Sequence, residues 1–453
     1  MIKNQIISGK CLDYTFDGLG VVKYDTFCLF VKGMLVNEEG EIIITSVKKN
    51  YGYGRLLKLT VSSSERRELH CQNAKQCGGC QLQHMSYQEQ LSFKHDIVQK
   101  DINNIAHLET EVLPVLSAEN PYAYRNKIIM PVKKDKFGNT AIGFYRYNSH
   151  DIIPIEQCLL QSDVSNHLVN IIKKLIDKYD LSSLIRYVML RDMVRTEQIM
   201  VVFICYKKDI KALKPLCDEL VEYESKIKSI ILNVNGEDTN VVLGKEDYLL
   251  YGNDHIFDIL CGLKFKVSAH SFYQVNTFQT EKLYMQAIKM ADLSKDDIVL
   301  DLYCGVGTIG LSLSRYVKKV IGVEIVEQAI IDAKENARIN QINNAEFICG
   351  DAQKIVKKFQ EENIHFDCIV VDPPRKGCSN DTIDSLINLQ SKKIVYISCH
   401  PSTLARDLNK LKEHYEIKMI QPVDMFSQTY HVETVVLLSH KKADSYIHID
   451  VEF

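Results

Sequence analysis

The sequence of 453 residues lacks any apolar run as long as a membrane-spanning helix, and it lacks a strong net charge. Because a helix that crosses a bilayer needs about 20 mostly apolar residues, a helical membrane protein is excluded. The segment MIKNQIISGK has no apolar core of the kind found in secretion signals, so we expect a cytoplasmic protein. The formal net charge of −3 excludes a chain that is basic overall, although a local basic surface can still attract a polyanion.

A disulfide framework is also excluded, because the fourteen cysteines come without a secretion signal. Most of them stand alone in apolar runs, as Cys205 and Cys368 do, and are interpreted as buried core residues. Cys71, Cys77 and Cys80 instead form a cluster in CQNAKQCGGCQLQH. Its spacing allows zinc or an iron–sulfur cluster with a fourth ligand from elsewhere, or three unligated thiols.

The chain is longer than one hydrophobic core usually supports, and three regions differ in pattern. Residues 1–62 alternate short β-type runs with turns, which predicts a small β-barrel. Such barrels often bind oligonucleotides, but a simple packing module is an alternative. Residues 63–265 hold the cysteine cluster and a mixture of strands and helices, and we expect a central α+β domain there.

Residues 266–453 alternate strand-like and helical segments, with seven strand-like runs from IVLDLYC to HVETVVLLSH. This alternation predicts an α/β fold with a doubly wound, mainly parallel sheet. Ligands of such sheets bind at the carboxyl ends of the strands.

A glycine turn follows the first of these strands in DLYCGVGTIG, where Gly305, Gly307 and Gly310 match G-x-G-x-x-G. Glu324 ends the next strand, where a carboxylate can bind ribose hydroxyls. The pattern fits a dinucleotide or S-adenosylmethionine. The fourth strand ends in Asp372-Pro-Pro-Arg375, which resembles an element of nucleic-acid methyltransferases and favours the second cofactor. Arg375 replaces the aromatic residue that stacks on a base in enzymes that methylate exocyclic amines, which disfavours that chemistry.

Two residues are candidates for catalysis. Cys399 ends the fifth strand directly before a helix, whose N-terminus can stabilise a thiolate. Cys304 has a similar position but lies inside the glycine turn. Glu433 stands near the start of the seventh strand in an apolar stretch, where a buried carboxylate is costly, although it can also be a carboxylate at the surface end of the strand. If the seventh strand runs antiparallel beside the fifth, Glu433 lies at the same edge as Cys399.

The four segments DLYCGVGTIG, VVDPPRKG, ISCHPSTLARD and HVETVVLLS together resemble the bacterial RNA uracil-5-methyltransferases, and the resemblance covers essentially the whole chain. It implies a class I methyltransferase domain, Cys399 as nucleophile and Glu433 as base, and S-adenosylmethionine as the methyl donor. The residues that it implies for donor binding are Gln274, Tyr303, Glu324, Asp351 and Asp372. His431 is expected to be a structural or RNA-contacting neighbour of the site.

The N-terminal region resembles the RNA-binding barrel called TRAM of the ribosomal-RNA members of the family. The resemblance also implies Cys158 as the fourth cysteine ligand and a 4Fe–4S cluster. Residues 123–150 are rich in basic and aromatic side chains, which suit contacts with phosphates and unpaired bases but also a solvated strand pair. Arg125 and Lys127 in this stretch resemble family positions that lie along the RNA.

The expectation from the sequence is therefore a monomeric enzyme that methylates carbon 5 of an unpaired uridine, with 23S ribosomal RNA as the expected substrate. Methylation of transfer RNA is one alternative. A non-catalytic RNA-binding iron–sulfur protein, in which the methyltransferase fold is only a scaffold, is another.

Overall fold

The computed structural model describes residues 1–135, 138–147, 149–237 and 239–441. The first unit is a closed barrel of five strands: β1 (Ile6–Tyr14), β2 (Gly20–Tyr24), β3 (Phe27–Lys32), β4 (Glu39–Val47) and β5 (Tyr51–Val61). Their order is β1-β2-β3-β5-β4, and β3 and β5 run parallel. Successive side chains of a strand point to opposite faces, so alternate residues such as Leu29 and Val31 are fully buried inside the barrel.

Helix α1 (Tyr87–Asn104) follows the cysteine-rich connection. It begins after Ser86, whose hydroxyl accepts a hydrogen bond from the backbone N–H of Glu89 and so satisfies one free donor of the first turn. Its buried face carries Phe93, Ile97 and Val98.

The central unit is a seven-stranded sheet whose helices are α2 (Asp163–Lys178) and α3 (Ile210–Tyr223). Its strands are β6 (Lys127–Lys134), β7 (Thr140–Tyr145), β8 (Ile152–Pro154), β9 (Ile185–Met193), β10 (Gln198–Cys205), β11 (Ile227–Val234) and β12 (Glu246–Gly252), in the order β12-β11-β10-β9-β6-β7-β8. Lys136, Phe137 and Asn148 of the basic and aromatic stretch lie outside the described residues.

The hairpin of β13 (His255–Leu260) and β14 (Leu263–Ser268) leads into the C-terminal unit. The strands of this unit are β15 (Ile298–Leu302), β16 (Lys319–Glu324), β17 (Ala345–Cys349), β18 (Cys368–Val371), β19 (Lys393–Ser398), β20 (Tyr415–Val423) and β21 (Glu433–His440). Its helices are α4 (Thr277–Ala291), α5 (Thr308–Ser314), α6 (Glu327–Ile339), α7 (Ala352–Glu361), α8 (Asn380–Leu389) and α9 (Pro401–Leu411).

The C-terminal sheet has the order β17-β16-β15-β18-β19-β21-β20. Strands β15 to β19 are parallel to their neighbours, whereas β21 lies antiparallel between β19 and β20. The strand order reverses at β15 and β18, which is where doubly wound sheets bind ligands. The predicted α/β fold with an N-terminal barrel and a seven-stranded sheet is confirmed.

Two apolar layers cover the faces of this sheet. Val370 and Val395 belong to the layer that includes α4, whereas the neighbouring Ile369 and Ile394 belong to the layer that includes α9. Val98 of α1 is also part of this second layer, and α1 packs against α9 and β20. Part of the chain before the central sheet therefore completes the C-terminal core. Among the described residues, no helix is long and apolar enough to cross a membrane.

Candidate active site

The glycine turn between β15 and α5 uses backbone conformations that favour glycine. Gly305 and Gly307 have φ angles of 54° and 82°, in the left-handed region. A Cβ atom on Gly310 would lie 2.8 Å from Oδ2 of Asp301, so a side chain has no room there. Tyr303 also has a positive φ of 64°, which is costly for an aromatic residue. The turn is therefore closely fitted, and its backbone can approach a ligand.

Two carboxylates hold this turn. The backbone N–H of Gly310 donates to Oδ2 of Asp301 at 2.9 Å, and the backbone N–H of Gly305 donates to Oε2 of Glu324 at 3.3 Å. Asp301 is fully buried, its Oδ1 has no hydrogen-bond partner among the described residues, and burial raises its pKa to about 8. A buried acceptor without a donor is costly, so this edge is suited to a ligand that carries donor groups, as S-adenosylmethionine does.

Asp372 lies between the glycine turn and the end of β19. Burial raises its pKa to about 7. Its charge adds to burial in raising the pKa of Asp301 on one side and of Glu433 on the other. Asp372 is thus within electrostatic reach of both groups, and a cationic ligand placed there would relieve the repulsion between these carboxylates.

Of the other three residues expected at the donor site, Tyr303 and Asp351 lie near each other at this edge. Gln274 is half-buried just before α4, and its backbone carbonyl accepts a hydrogen bond from Nδ2 of Asn126 at 3.0 Å. Asp351 caps α7 by accepting from the backbone N–H of Lys354 at 3.2 Å. Burial raises the pKa of Tyr303 to about 12, and the charge of Asp351 contributes to the increase. Tyr303 and Asp351 are therefore neighbours at this edge.

Cys399 and Glu433 meet because β21 is antiparallel to β19. Ser398, the last residue of β19, lies opposite Thr434 of the antiparallel β21. Cys399, which follows Ser398, and Glu433, which precedes Thr434, therefore reach the same edge of the sheet. Cys399 is half-buried and precedes α9, which begins at Pro401. Glu433 is only 3% exposed. The antiparallel arrangement that the sequence analysis considered is thus present.

The electrostatics of this pair are unusual for a buried site. Burial, with a smaller contribution from the charge of Asp372, raises the pKa of Glu433 to about 8. Burial, with a smaller contribution from the charge of Glu433, also raises the pKa of the Cys399 thiol to about 11. The exposed Arg375 lowers both pKa values, so its guanidinium lies close enough to favour the ionised forms. This edge therefore brings together the thiol of Cys399, the carboxyl of Glu433, which ionises near neutral pH, and the guanidinium of Arg375.

Two histidines border the pair. His400 lies directly before α9, and its Nδ1 is buried without a partner among the described residues. Burial, with a smaller contribution from the charge of Arg375, lowers the pKa of His431 to about 4. His431 precedes β21, and it is neutral near pH 7.

The segment that leads into β21 is held by buried contacts to α1. Lys94 forms an ion pair with Asp424, and the two side chains are 0% and 1% exposed. Lys94 also donates to the carbonyl of Phe426 at 3.1 Å, and the hydroxyl of Tyr87 donates to Oδ2 of Asp424 at 2.7 Å. These contacts hold residues 424–426, in the segment that leads to Glu433, against α1.

The four cysteines of interest line one cavity of about 600 Å³: Cys71, Cys77, Cys80 and Cys158. The backbone N–H of Gly79 donates to Sγ of Cys77 at 3.3 Å, and Asn166 holds the backbone of Cys158 through two hydrogen bonds. No three His, Cys, Asp or Glu side chains of the described residues are close enough together to bind a single metal ion. A 4Fe–4S cluster would bind four thiolates on four separate irons, so its ligands would not need to converge on a single ion.

Arg125 lines the same cavity, and its charge also lowers the pKa of His431. It therefore lies between the cysteines and the Cys399 edge. Lys127 is half-buried at the start of β6, and burial, followed by the charge of Arg191, lowers its pKa to about 8.

A family model described as tRNA (Uracil-5-)-methyltransferase matches residues 86–441. The chain belongs to the RNA uracil-5-methyltransferase family. A protein of Clostridium tetani named "Uncharacterized RNA methyltransferase" is 44% identical over 93% of this chain and 94% of its own length. A Bacillus cereus protein of the same name is 42% identical over 96% of this chain and 97% of its own.

One similar solved structure is that of Pyrococcus abyssi tRNA (uracil-54, C5)-methyltransferase in complex with S-adenosyl-L-homocysteine. It is 29% identical, covers 95% of this chain and 99% of that chain, and has a TM-score of 0.76. The methyltransferase described here is therefore an S-adenosylmethionine-dependent enzyme that acts on RNA. The family and the enzyme class predicted from the sequence are confirmed.

Sequence reasoning missed three features of this methyltransferase. Asp301 begins the DLYCGVGTIG segment, and its position at the end of a strand was a signal that went unused. Arg375 was read only as evidence against amine methylation, whereas it lies beside Cys399 and Glu433. Nothing local to Lys94 indicates that it pairs with Asp424.

Proposed function

We propose that this methyltransferase transfers a methyl group to carbon 5 of a uridine in RNA through a covalent bond between Cys399 and carbon 6. The observation that carries the proposal is the placement of a thiol and a buried carboxyl at adjacent ends of antiparallel strands, beside the glycine turn. Carbon 5 of uracil is too weak a nucleophile to react unaided, so the chemistry needs a thiolate and a base in this arrangement.

In the first step the Cys399 thiolate adds to carbon 6, and the electron pair of the 5,6 double bond moves to form an enolate. Bound S-adenosylmethionine would supply an electrophilic methyl group, and the electron pair of the broken S–CH3 bond would stay on sulfur in the leaving S-adenosyl-L-homocysteine. After carbon 5 has accepted that group, Glu433 removes the proton from carbon 5. The double bond then re-forms, the bond between sulfur and carbon 6 breaks, and the thiolate is released.

The pKa of Glu433 suits a base, whereas the thiolate of Cys399 needs a nearby positive charge to stabilise it. A base works best when its pKa is near the working pH, and the pKa of Glu433 is raised to about 8 by burial and Asp372. The Cys399 thiol has a pKa of about 11, raised by burial and Glu433, so most of it is protonated near pH 7. Arg375 stabilises the thiolate, and as an exposed cation it is also proposed to contact an RNA phosphate.

Gln274, Tyr303, Glu324, Asp351 and Asp372 are proposed to bind the methyl donor. Asp301 supports the same proposal, because its Oδ1, which has no partner among the described residues, can accept a hydrogen bond from a donor group of the ligand. Glu324 stands at the end of β16, where a carboxylate can accept hydrogen bonds from ribose hydroxyls.

The barrel is proposed to bind RNA. Phe30, Tyr51 and Tyr53 lie together on its outer face with ring centroids 5.5 to 5.9 Å apart, and both tyrosines are 38% exposed. Lys32 and Arg55 lie opposite each other on the same two strands, two residues further along. Exposed rings beside cations suit unpaired bases and their phosphates.

Cys71, Cys77, Cys80 and Cys158 are proposed to hold a 4Fe–4S cluster. Four thiols around one cavity and a backbone N–H directed at Cys77 support this ligand set. Because uracil methylation transfers no electrons, the cluster would serve to connect residues 71–80 to the segment before α2.

For the substrate we propose a uridine of 23S ribosomal RNA in an unpaired loop, with the enzyme acting as a monomer. The second candidate is transfer RNA, and it is favoured by the similar solved enzyme, whose name gives a transfer-RNA uracil as its target. The match to that transfer-RNA enzyme covers 95% of this chain and so includes most of the barrel. The presence of the barrel therefore does not by itself distinguish the two substrates. Incubation with both RNAs purified from a strain that lacks the gene, followed by mass mapping of 5-methyluridine, separates them.

The covalent step is tested with RNA that carries 5-fluorouridine at the target, since fluorine cannot leave as a proton does. Wild-type enzyme with methyl donor should give a slowly migrating adduct on a denaturing gel. Cys399→Ala should give none, whereas Cys217→Ala, on α3 in the central unit, should behave as wild type. An adduct that persists in Cys399→Ala would show that another residue is the nucleophile. Failure of the wild type to bind labelled S-adenosylmethionine would instead support a non-catalytic RNA-binding protein.

A further inference from the structure

The barrel contributes a side chain to the cleft at Cys399. Phe16, in the loop between β1 and β2, lines this cleft together with residues of the C-terminal unit, and the others that matter here are Cys399, His400, Tyr430 and His431. Phe16 comes from the opposite end of the chain, more than 380 residues before Cys399. The cleft at the proposed nucleophile is therefore built from the barrel, α1 and the C-terminal unit.

The loop that carries Phe16 is held rigidly. The backbone N–H of Thr15 donates to the carbonyl of Leu19 at 2.8 Å, and the N–H of Gly18 donates to the carbonyl of Thr15 at 3.0 Å. Gly18 has a φ of 82°, and a Cβ atom there would lie 2.7 Å from the side chain of Leu82. The loop is thus closed on itself and packed against the segment before α1, which fixes the position of the ring.

Phe16 is 62% exposed although it stands over a cleft. Its ring meets Tyr430 edge to face at 6.3 Å, and Tyr430 in turn lies 4.3 Å from the ring of His431. Single exposed apolar residues are common on protein surfaces. This one differs because it extends a row of three rings whose last member, His431, is neutral near pH 7 and borders Cys399.

We propose that Phe16 stacks on the unpaired base adjacent to the target uridine and so keeps the target out of the RNA stack. The inference rests on the proposed function and names a positioning residue for it. A base that reacts at carbon 6 must leave its stack, which has a free-energy cost. An aromatic ring that replaces the lost neighbour offsets that cost, and the rigid loop places such a ring at the mouth of the Cys399 cleft.

The test is a set of double-mutant cycles between Phe16→Ala and RNA that carries one abasic nucleotide on either side of the target. Phe16→Ala should lower RNA affinity and kcat/KM by roughly ten- to hundredfold, the range expected for loss of one stacked base. Phe16→Tyr should keep most of the activity, whereas Phe16→Leu, which is apolar but has no ring, should not. Binding of S-adenosylmethionine should be unchanged in all three.

When the abasic nucleotide replaces the base that stacks on Phe16, the RNA affinity and kcat/KM of the wild type should fall to the values of Phe16→Ala on intact RNA. Phe16→Ala should show no additional loss of affinity or kcat/KM on that abasic RNA. Purely additive effects at both positions, or full activity of Phe16→Ala, would overturn the inference. Tyr24 is another partly exposed aromatic residue of the barrel and lies outside the cleft, so Tyr24→Ala is the matched control. It should have the RNA affinity and kcat/KM of the wild type on both intact and abasic RNA. The cycle is also measured as RNA affinity, so it tests Phe16 even if the wild type forms no 5-methyluridine. Absence of 5-methyluridine would count against the proposed function and not against the role of Phe16.

Discussion

Lys94 of α1 and Asp424, which follows β20, form an ion pair that is almost completely removed from solvent. The pair joins the helix that precedes the central unit to the segment that leads into Glu433. A buried pair is costly to form but still more costly to break, because removal of one partner leaves the other charge buried and unpaired.

Lys94→Met is therefore expected to lower the free energy of unfolding by about 3–5 kcal/mol. Lys100→Met is the matched control, since Lys100 lies on the same helix and pairs with Asp13, but both side chains are about half exposed. It should cost less than about 1 kcal/mol, because exposed pairs are screened by solvent. Calorimetric unfolding of both variants measures the difference, and equal effects would contradict a structural role for the buried pair.

The rate of methylation should rise with pH. Glu433 must be ionised to act as a base, and burial together with Asp372 raises its pKa to about 8, so the active form increases through that pH. The thiolate of Cys399, whose pKa is about 11, increases in the same direction. Values of kcat/KM from about pH 6 to about pH 9 should rise throughout, and a profile that falls over this range would rule out a carboxylate base.

Arg375→Gln should move that profile to higher pH, because Arg375 lowers the pKa of both Cys399 and Glu433. Arg375→Lys keeps the charge and should move it much less. The shift of the rising limb distinguishes an electrostatic role from simple loss of RNA affinity, which would lower the whole profile without displacing it.

Glu433→Gln should accumulate the covalent adduct with ordinary uridine RNA, because the thiol adds and the methyl group transfers but the proton of carbon 5 is not removed. Turnover should fall by about 10²–10⁴-fold. A denaturing gel detects the adduct without any fluorinated base. If turnover falls and no adduct appears, Glu433 acts before methyl transfer and its assignment as the later base is wrong.

The same substitution should change stability with a defined sign. The folded protein holds the Glu433 proton up to a pH of about 8, so wild type loses stability as the pH rises from the ordinary carboxyl range through that value. Glu433→Gln has no proton to lose. Its melting temperature relative to wild type should therefore increase between about pH 5 and about pH 9.

Protein purified without oxygen should contain iron and sulfide, and Cys158→Ala should lose both. Cys217→Ala leaves the cavity unchanged and should retain them. Zinc in stoichiometric amount in colourless protein would refute the iron–sulfur assignment. Any folded fraction of Cys158→Ala should still bind the methyl donor, because the cavity is separate from the glycine turn.

Glu324→Ala should weaken binding of S-adenosylmethionine by roughly tenfold or more, since a ribose acceptor and the partner of the Gly305 N–H are lost together. Isothermal titration calorimetry measures the change. Tight binding of NAD in place of the methyl donor would overturn the assignment of the whole turn.

The glycine turn, Glu324, Asp372 and Cys399 could be located from the sequence because each ends a parallel strand, and such ends share one edge of a sheet. The place of Glu433 required one further assumption, the antiparallel pairing of β19 and β21. Phe16 and Lys94 could not be located in this way. Their partners lie hundreds of residues away, and no periodicity or spacing records which distant segments pack together.

The separation of Lys94 and Asp424 by 330 residues also has a consequence for synthesis of the chain. At about 5–20 residues per second, Asp424 is translated on the order of 15–65 s after Lys94. During that time the central sheet is synthesised after the barrel, whereas the side of α1 that carries Val98 and Ile102 has no β20 or α9 to pack against. The methyltransferase sheet therefore closes last, around a helix made long before it, and the nascent chain must keep Val98 and Ile102 from aggregating until then.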